Sequence, residues 1–227
     1  MENEGFIDTM INSLKYSVSD LGALFWGGIM GILCLLLVGI PFMLGYTFRC
    51  FRNLLRGDNK LPAWDDWGTM LKDGIIAIAI SLVYGLIGGI LYVLVMPFFL
   101  VGGMFESNLM ILLGVLVAVP VFLIEVALSL LIYISWMEYA VSGDLARAIN
   151  PVNGLRLIAA NPLGYILALV ALFIVGLVIS IPSVLIITIP WVMFATYVAN
   201  AYIYARFYQD TARPQAGSPP AIPAATA

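Results

Sequence analysis

The 227-residue chain has no histidine and two cysteines, and only 10% of it is charged, against about 25% in an ordinary soluble domain. Without histidine it lacks the commonest general base, the commonest metal ligand and any Ser-His or Cys-His nucleophile pair. Cys34 and Cys50 form no C-x-x-C pair and lie in or beside an apolar run. That position reads as two small buried residues rather than a disulfide framework or a zinc site. The net charge of −3 excludes a broad nucleic-acid surface. No metal or other cofactor is expected. What the chain does have is apolar sequence, 63% of it, in runs longer than ~20 residues. This is the pattern of an all-α, polytopic membrane helical bundle.

Along the chain, "FIDTMINSLKYSV" at 6–18 sets Phe6, Ile7, Met10, Ile11 and Leu14 at helical spacing, with Asp8, Asn12 and Lys15 between them. It predicts an amphipathic helix at the membrane surface within an N-terminal segment over 1–20. Five spans are expected, over about 21–48, 74–101, 108–138, 163–182 and 186–207, with an interfacial hairpin over 49–73. The first run is about 42 Å long as a helix, more than the ~30 Å hydrocarbon core, and tilt or a kink near Pro41 can absorb the excess. The acidic start "MENEGF" and the length of that run speak against a cleavable signal. Residues 208–227, rich in Pro and Ala with no apolar period, are expected to form a disordered tail.

Basic residues give an orientation. Arg49, Arg52, Arg56, Lys60 and Lys72 lie between the first two spans, Arg147 and Arg156 between the third and fourth, and Arg206 and Arg213 after the fifth. The turns near 106 and 185 have none. The positive-inside rule makes the basic side cytoplasmic, so a five-span count puts the N-terminus outside the cell membrane and the C-terminus in the cytoplasm. A weak echo, "GD" at 57–58 and 143–144 after a long span in each half, raises a parallel repeat of the kind some transporters have.

The polar chemistry concentrates in one place. In "RCFRNLLRG", Arg49, Arg52 and Arg56 fall within roughly 60° of arc, and Phe48, Phe51, Leu54 and Leu55 take the other side. Gly57 can end that helix in a left-handed conformation, and "DNKLP" reads as a turn. In "LPAWDDWG", Asp66 is placed to cap the next helix. Three arginines with Asp65 and Asp66 form a candidate phosphate or anionic headgroup site. The plainer reading is an anchor: arginines reaching to headgroups, Trp64 and Trp67 in the aromatic belt, and Asp–Arg contacts fixing the hairpin. An Asp pair also suggests Mg²⁺ phosphotransfer. The pattern D-x-x-D-G-x-x-A-R of the CDP-alcohol phosphotransferases finds only Asp73-Gly74 and Ala77 here, with Met70 and Ile78 at the first Asp and the Arg.

The stretch "GYTFRCFRNLLRGDNKLPAWDDWGTMLKDG", 45–74, resembles the signature of the family known as domain of unknown function 4013. Its members are small integral membrane proteins, mainly archaeal and some bacterial. The resemblance rests on Gly45-Tyr46, Arg49, Arg52-Asn53, Gly57, Leu61-Pro62, Asp65-Asp66-Trp67-Gly68 and Asp73-Gly74, with "SLKYSVSD" at 13–20 similar to the family's entry segment. It implies a polytopic helical fold and no activity.

Inside the apolar runs, Glu125 is the sharpest residue. It lies about 20 Å along its helix from Glu138, and a charge at mid-bilayer costs roughly 2.5–3.5 kcal/mol on insertion scales. No Lys or Arg stands in any span to pair with it. Ser129 and Tyr133 follow at i+4 and i+8, so the three read either as a polar stripe for a proton or ion, or as a carboxyl hydrogen-bonded to a group such as Ser81 or Tyr84. Gly27/Gly31 and Gly85/Gly89 are small-residue motifs that would pack the first two spans together. Pro41, Pro97, Pro120, Pro182 and Pro190 mark kinks or span ends. Three functions follow in order of preference. The first is a non-enzymatic protein that organises the bilayer or binds lipid headgroups, a membrane-protein partner or a second copy. The second is a small transporter or channel using the Glu125 stripe. The third is a lipid-modifying enzyme using Asp65 and Asp66.

Overall fold

The computed structural model describes residues 5–212, all of whose regular elements are helical. They are α1 (Phe6–Ser17), α2 (Leu21–Cys34), α3 (Gly39–Leu55), α4 (Trp67–Met104), α5 (Asn108–Ser142), α6 (Leu145–Ile149), α7 (Pro151–Ala160), α8 (Pro162–Ser180) and α9 (Ile189–Ala212). Four of these are long and apolar enough to cross a membrane: α4, α5, α8 with its continuation, and α9; counting the bent pair α1–α2 as one span gives a fifth. The chain is therefore a helical membrane protein. Of the tail expected over 208–227, the first five residues continue α9 as helix, and the rest lies outside the described residues.

The first apolar run does not form one helix. It breaks at 35–38, where Leu37 adopts φ 64°, and α3 folds back along α2. Hydropathy counts apolar residues and is blind to backbone direction. The direct cause of the fold-back is Gly39, which lies so close to the Met30 carbonyl and the Cys34 amide that no Cβ would fit there. The tip of this α2–α3 hairpin is wholly apolar, Leu35 through Val38, and Leu35 is 81% exposed. The next turn at the same end of the bundle, Val184 to Ile187, is equally bare of polar side chains. Pro190 beside Gly31 places the two tips at one level.

At the opposite end, hydrogen bonds gather the elements that carry charge. Tyr16 of α1 donates to the Lys60 carbonyl (3.5 Å), and the Gln209 amide of α9 donates to the Leu54 carbonyl at the end of α3 (3.0 Å). Arg52 Nε donates to the Ala140 carbonyl near the end of α5 (2.9 Å). Helix α1 thus lies at the same end as the basic segments, with Tyr16 5.5 Å from Tyr202 ring to ring.

Glycines set the packing, but not the pairing expected of them. Gly27, Gly28 and Gly31 of α2 face Phe194, Trp191 and Pro190 of α9, so the first motif packs α2 on the last helix rather than on the second span. Gly85 and Gly89 face open space. The close approach of α3 to α4 comes instead from Gly45 under the Met70 carbonyl and Gly74 under the Pro41 carbonyl. Helices α4 and α5, roughly 57 and 52 Å long at 1.5 Å per residue, form an antiparallel hairpin. Its distal half is held by Gly102 against Ile111 and Gly114 against Phe98. The molecule is thus a bundle of α1, α2, α8 and α9, joined through the central α3 to an α4–α5 wing.

The "GD" echo has a local explanation. Gly57 (φ 87°) and Gly143 (φ 67°) each end a helix in the left-handed region that glycine enters without a Cβ clash. Each following aspartate then accepts an amide two residues on: Asp58 from Lys60 (3.0 Å) and Asp144 from Ala146 (2.9 Å). Two equal stop signals suffice for the likeness.

Candidate functional site

The segment 49–73 is a helix–turn–helix, but its arms are the last turns of α3 and the first of α4, with a loop at 56–66. Its aromatic residues are structural. Trp64 stacks on Tyr46 (4.3 Å, 13°) and donates its ring N–H to the Ala23 carbonyl (3.2 Å). The buried Tyr46 hydroxyl donates to the Pro62 carbonyl (2.8 Å). Trp67 sits edge-on to Trp26 and Phe42. Both tryptophans are half-buried and fasten the loop to α2 and α3.

The three arginines do not form a joint anion site. Arg49 Nη1 pairs with Asp65 (2.5 Å) and donates to the Ala63 carbonyl (3.1 Å). The Arg49 guanidinium holds the Asp65 carboxyl below the usual carboxylate range, although Asp65 is fully exposed. Arg52 grips Asp73 through both Nη atoms while its Nε reaches Ala140, so one side chain ties α3, α4 and α5 together. The carboxylate it grips is 6% exposed. Arg56 is exposed and makes no ion pair among the described residues. Asp66 accepts the Thr69 amide (3.2 Å) and caps α4. Asp65 and Asp66 therefore have different partners and do not converge on one point. The sequence reading missed two carboxylates that matter more. Asp73 is one. Glu138 is the other: it is buried and paired with Arg147 Nε, whose own carbonyl accepts from the Asn153 amide (2.9 Å). Asp73 was visible inside the family-like stretch, but nothing in the spacing named Arg52 as its partner.

Five cations at this end, Lys15, Arg56, Lys60, Lys72 and Arg156, are exposed and make no ion pair among the described residues. They form a scattered basic rim rather than a pocket.

The Glu125–Ser129–Tyr133 stripe does not face one neighbour. Positions i, i+4 and i+8 drift by about 80° around a helix of 100° per residue. Glu125 meets Gly88 of α4, Ser129 is exposed and bonds back to the Val126 carbonyl (2.8 Å), and Tyr133 stacks on Tyr204 of α9 (5.4 Å, 21°). The partners expected for Glu125 are engaged elsewhere: Ser81 bonds the Ala77 carbonyl, and Tyr84 bonds Ser135 and the Ile149 carbonyl.

A cavity that the sequence did not announce lies between α5 and α9. Helix α5 leans on α4, α9 leans on α2 and α8, and the Tyr133–Tyr204 stack props the two apart. The open part, about 480 Å³, is walled by Tyr133, Ser183, Val192, Thr196, Tyr197 and Asn200. A narrow extension of about 30 Å³ runs on toward Thr47, Phe51 and Met137, sharing Tyr133, Tyr197 and Asn200. The Asn200 amide and the Tyr133, Tyr197 and Tyr204 hydroxyls make no hydrogen bond among the described residues. Tyr133, Tyr197 and Asn200 are half-buried, and none of the four polar ends is fully enclosed, so they face the cleft as accessible donors and acceptors. Its sequence traces were Tyr133, read there as part of the Glu125 stripe, and an Asn in an otherwise apolar and aromatic span.

No curated protein and no solved structure matches this chain. A family model does: over residues 29–188, which take in the α2–α3 fold-back, the Arg–Asp loop and the α4–α5 wing, the chain belongs to the family described as protein of unknown function (DUF4013).

Proposed function

We infer that the protein is a non-enzymatic lipid-binding protein of the cell membrane, which takes a polar-headed lipid into the cleft between α5 and α9. The observation that carries this is the cavity itself. Its volume, about 480 Å³, falls within the ~300–1,000 Å³ of small-ligand pockets, and its apolar walls carry a few convergent polar groups without partners. An acyl chain matches the walls, and an ester or headgroup oxygen matches the Asn200 amide and the tyrosine hydroxyls. The scattered cations support a complementary role at the bilayer surface, since each Lys or Arg near an anionic leaflet contributes about 1 kcal/mol. The separate engagement of Asp65 and Asp66 supports a non-enzymatic reading. Asp65 is held by Arg49, and Asp66 by the start of α4.

The same geometry supports a proposed orientation. All charged described residues except Glu106 and Glu125 belong to elements tied together at one end, and that end is assigned to the cytoplasm by the positive-inside rule. With α2–α3 entering and leaving on one side, α1 is cytoplasmic too. This proposed orientation differs from the outside N-terminus that a five-span count gives.

The test is photo-crosslinking in vesicles of phosphatidylcholine and phosphatidylglycerol that carry a diazirine on the acyl chain. Labelled peptides should map to α5 and α9 around Tyr133 and Tyr197, and Asn200→Leu should abolish that labelling while sparing the distal α4–α5 wing. Labelling spread evenly over all lipid-facing helices, unchanged by Asn200→Leu, would overturn the assignment.

A further inference from the structure

The α4–α5 wing holds a second polar feature, and it faces away from the cleft. Glu125 rests on Gly88, and a Cβ built at Gly88 would run into both carboxyl oxygens. Gly88 is the buried glycine of "GLIGG", while its neighbours Gly85 and Gly89 face open space. The notch therefore accommodates this carboxyl and no helix backbone. Oε1 is enclosed and makes no hydrogen bond, and no hydrogen bond to Oε2 exists among the described residues. The tyrosines of these spans make no hydrogen bond to it among the described residues. On α4 these are Tyr84, which is committed to Ser135 and Ile149, and Tyr92, which is exposed. On α5 there is Tyr133, stacked on Tyr204, and on α8 Tyr165, whose hydroxyl points to the Leu130 carbonyl. Among the described residues no Lys or Arg pairs with Glu125.

A carboxylate left in such a place without a cation or donor is far more costly than a neutral carboxylic acid, whose unpaired oxygen carries only the smaller cost of an unsatisfied polar group. A permanently neutral structural group could have been Gln, which would find no hydrogen-bond partner there either, or an apolar side chain, which would pack on Gly88 at no polar cost. We propose that Glu125 and Gly88 form an exchangeable proton-binding site within the membrane, distinct from the lipid cleft, in which the Glu125 carboxyl takes its proton from the aqueous phase and returns it. The side chain is half-exposed on the wing, so the carboxyl can be reached from outside the fold by a membrane-soluble reagent, and the enclosed Oε1 keeps competing cations from being coordinated by both oxygens.

Two measurements on the full chain in lipid vesicles test this. The first is infrared difference spectroscopy of the carboxylic C=O band. The wild type should show a protonated-carboxyl band that shifts when heavy water replaces water and fades in alkaline medium. The band should be missing from Glu125→Gln and kept in Glu106→Gln. The second is dicyclohexylcarbodiimide. The carboxyl proton moves to a carbodiimide nitrogen as a carboxyl oxygen bonds to the central carbon, and the O-acylisourea rearranges to an N-acylurea. The peptide gains one whole carbodiimide, nothing leaves, and the modified residue should be Glu125. Gly88→Ala, which pushes the carboxyl from the notch, should alter both signals while leaving the fold intact by circular dichroism. A band blind to heavy water and to alkali would make Glu125 a sealed structural group. Absence of both band and labelling in the wild type would make it a solvated carboxylate. Either outcome sinks the proposal. Glu125→Gln should leave lipid capture in the α5–α9 cleft unchanged, so this test and that of the cleft fail independently.

Discussion

The basic end and the membrane interior of this protein treat polar side chains in opposite ways. At the basic end nearly every polar group that stands out in the sequence has a structural partner: Arg49 with Asp65, Arg52 with Asp73 and Ala140, Arg147 with Glu138, Asp66 with the start of α4, Trp64 with Ala23. In the interior polar groups are few and far apart in sequence, and several lack partners among the described residues: Glu125, Asn200 and three tyrosine hydroxyls. Density of charge in a sequence thus marked where the fold is fastened. The unpaired groups, of which only Glu125 and Tyr133 stood out in the sequence, mark what is left over for ligands.

Four experiments sharpen or break this contrast. The largest effect is expected at Arg52. Removing it leaves Asp73 buried and charged without a partner, and breaking a buried pair of this kind costs about 3 kcal/mol or more. Arg52→Ala should lower the melting temperature in detergent steeply. Arg52→Lys should rescue it only in part, because a point charge cannot hold both carboxylate oxygens and Ala140 together. A melting temperature equal to the wild type's would mean that the basic end is not fastened there.

Next comes the α3–α4 seam. Gly74→Ala forces a methyl against the Pro41 carbonyl and should cost about 2 kcal/mol by overpacking, whereas Gly85→Ala, with open space before it, should be close to neutral. Equal effects in chemical unfolding would contradict the packing register.

Asp65 should show a smaller, pH-dependent effect. Arg49 depresses its carboxyl, so the contribution to stability is present above the unfolded-state value and is lost as pH falls through the lower folded-state value. The pair is exposed and screened by salt. Asp65→Asn should therefore reduce the melting temperature slightly near neutrality and not at all in strong acid. A gap between the two proteins that widens in acid would reverse the assigned sign.

The smallest change in stability is expected at Asn200. Its amide makes no hydrogen bond, so Asn200→Leu should alter stability by less than about 0.5 kcal/mol while lipid capture disappears. A large loss of stability would show that Asn200 belongs with the fastened groups after all.

Much of the basic end was legible beforehand because local rules govern it. Asp66 precedes "WGTML" at capping distance, Gly57 follows a helix whose apolar face is complete, and the family-like residues of 45–74 cluster there. The partner of Arg52 was not legible, since Asp73 meets it only after the chain turns back on itself. Glu125 was visible as a residue, but its neighbour was not. Gly85 and Gly89 have the familiar spacing, yet the helix rotation set by the Gly45 and Gly74 contacts turns Gly88 inward instead.

Sequence alone determined the class of molecule, since a chain with 63% apolar residues in long runs can satisfy its backbone in lipid only as helices. It also determined where helices stop for Gly57 and Gly143, and which end carries the charge. Tertiary structure decided how the first apolar run is used. A 28-residue run is long enough to cross, and only the seating of Gly39 on Met30 and Cys34 folds it back, placing α1 beside the basic loops. Tertiary structure likewise decided the cleft. A gap between α5 and α9 belongs to neither helix's sequence; it arises because each has a closer-packing partner on its other side.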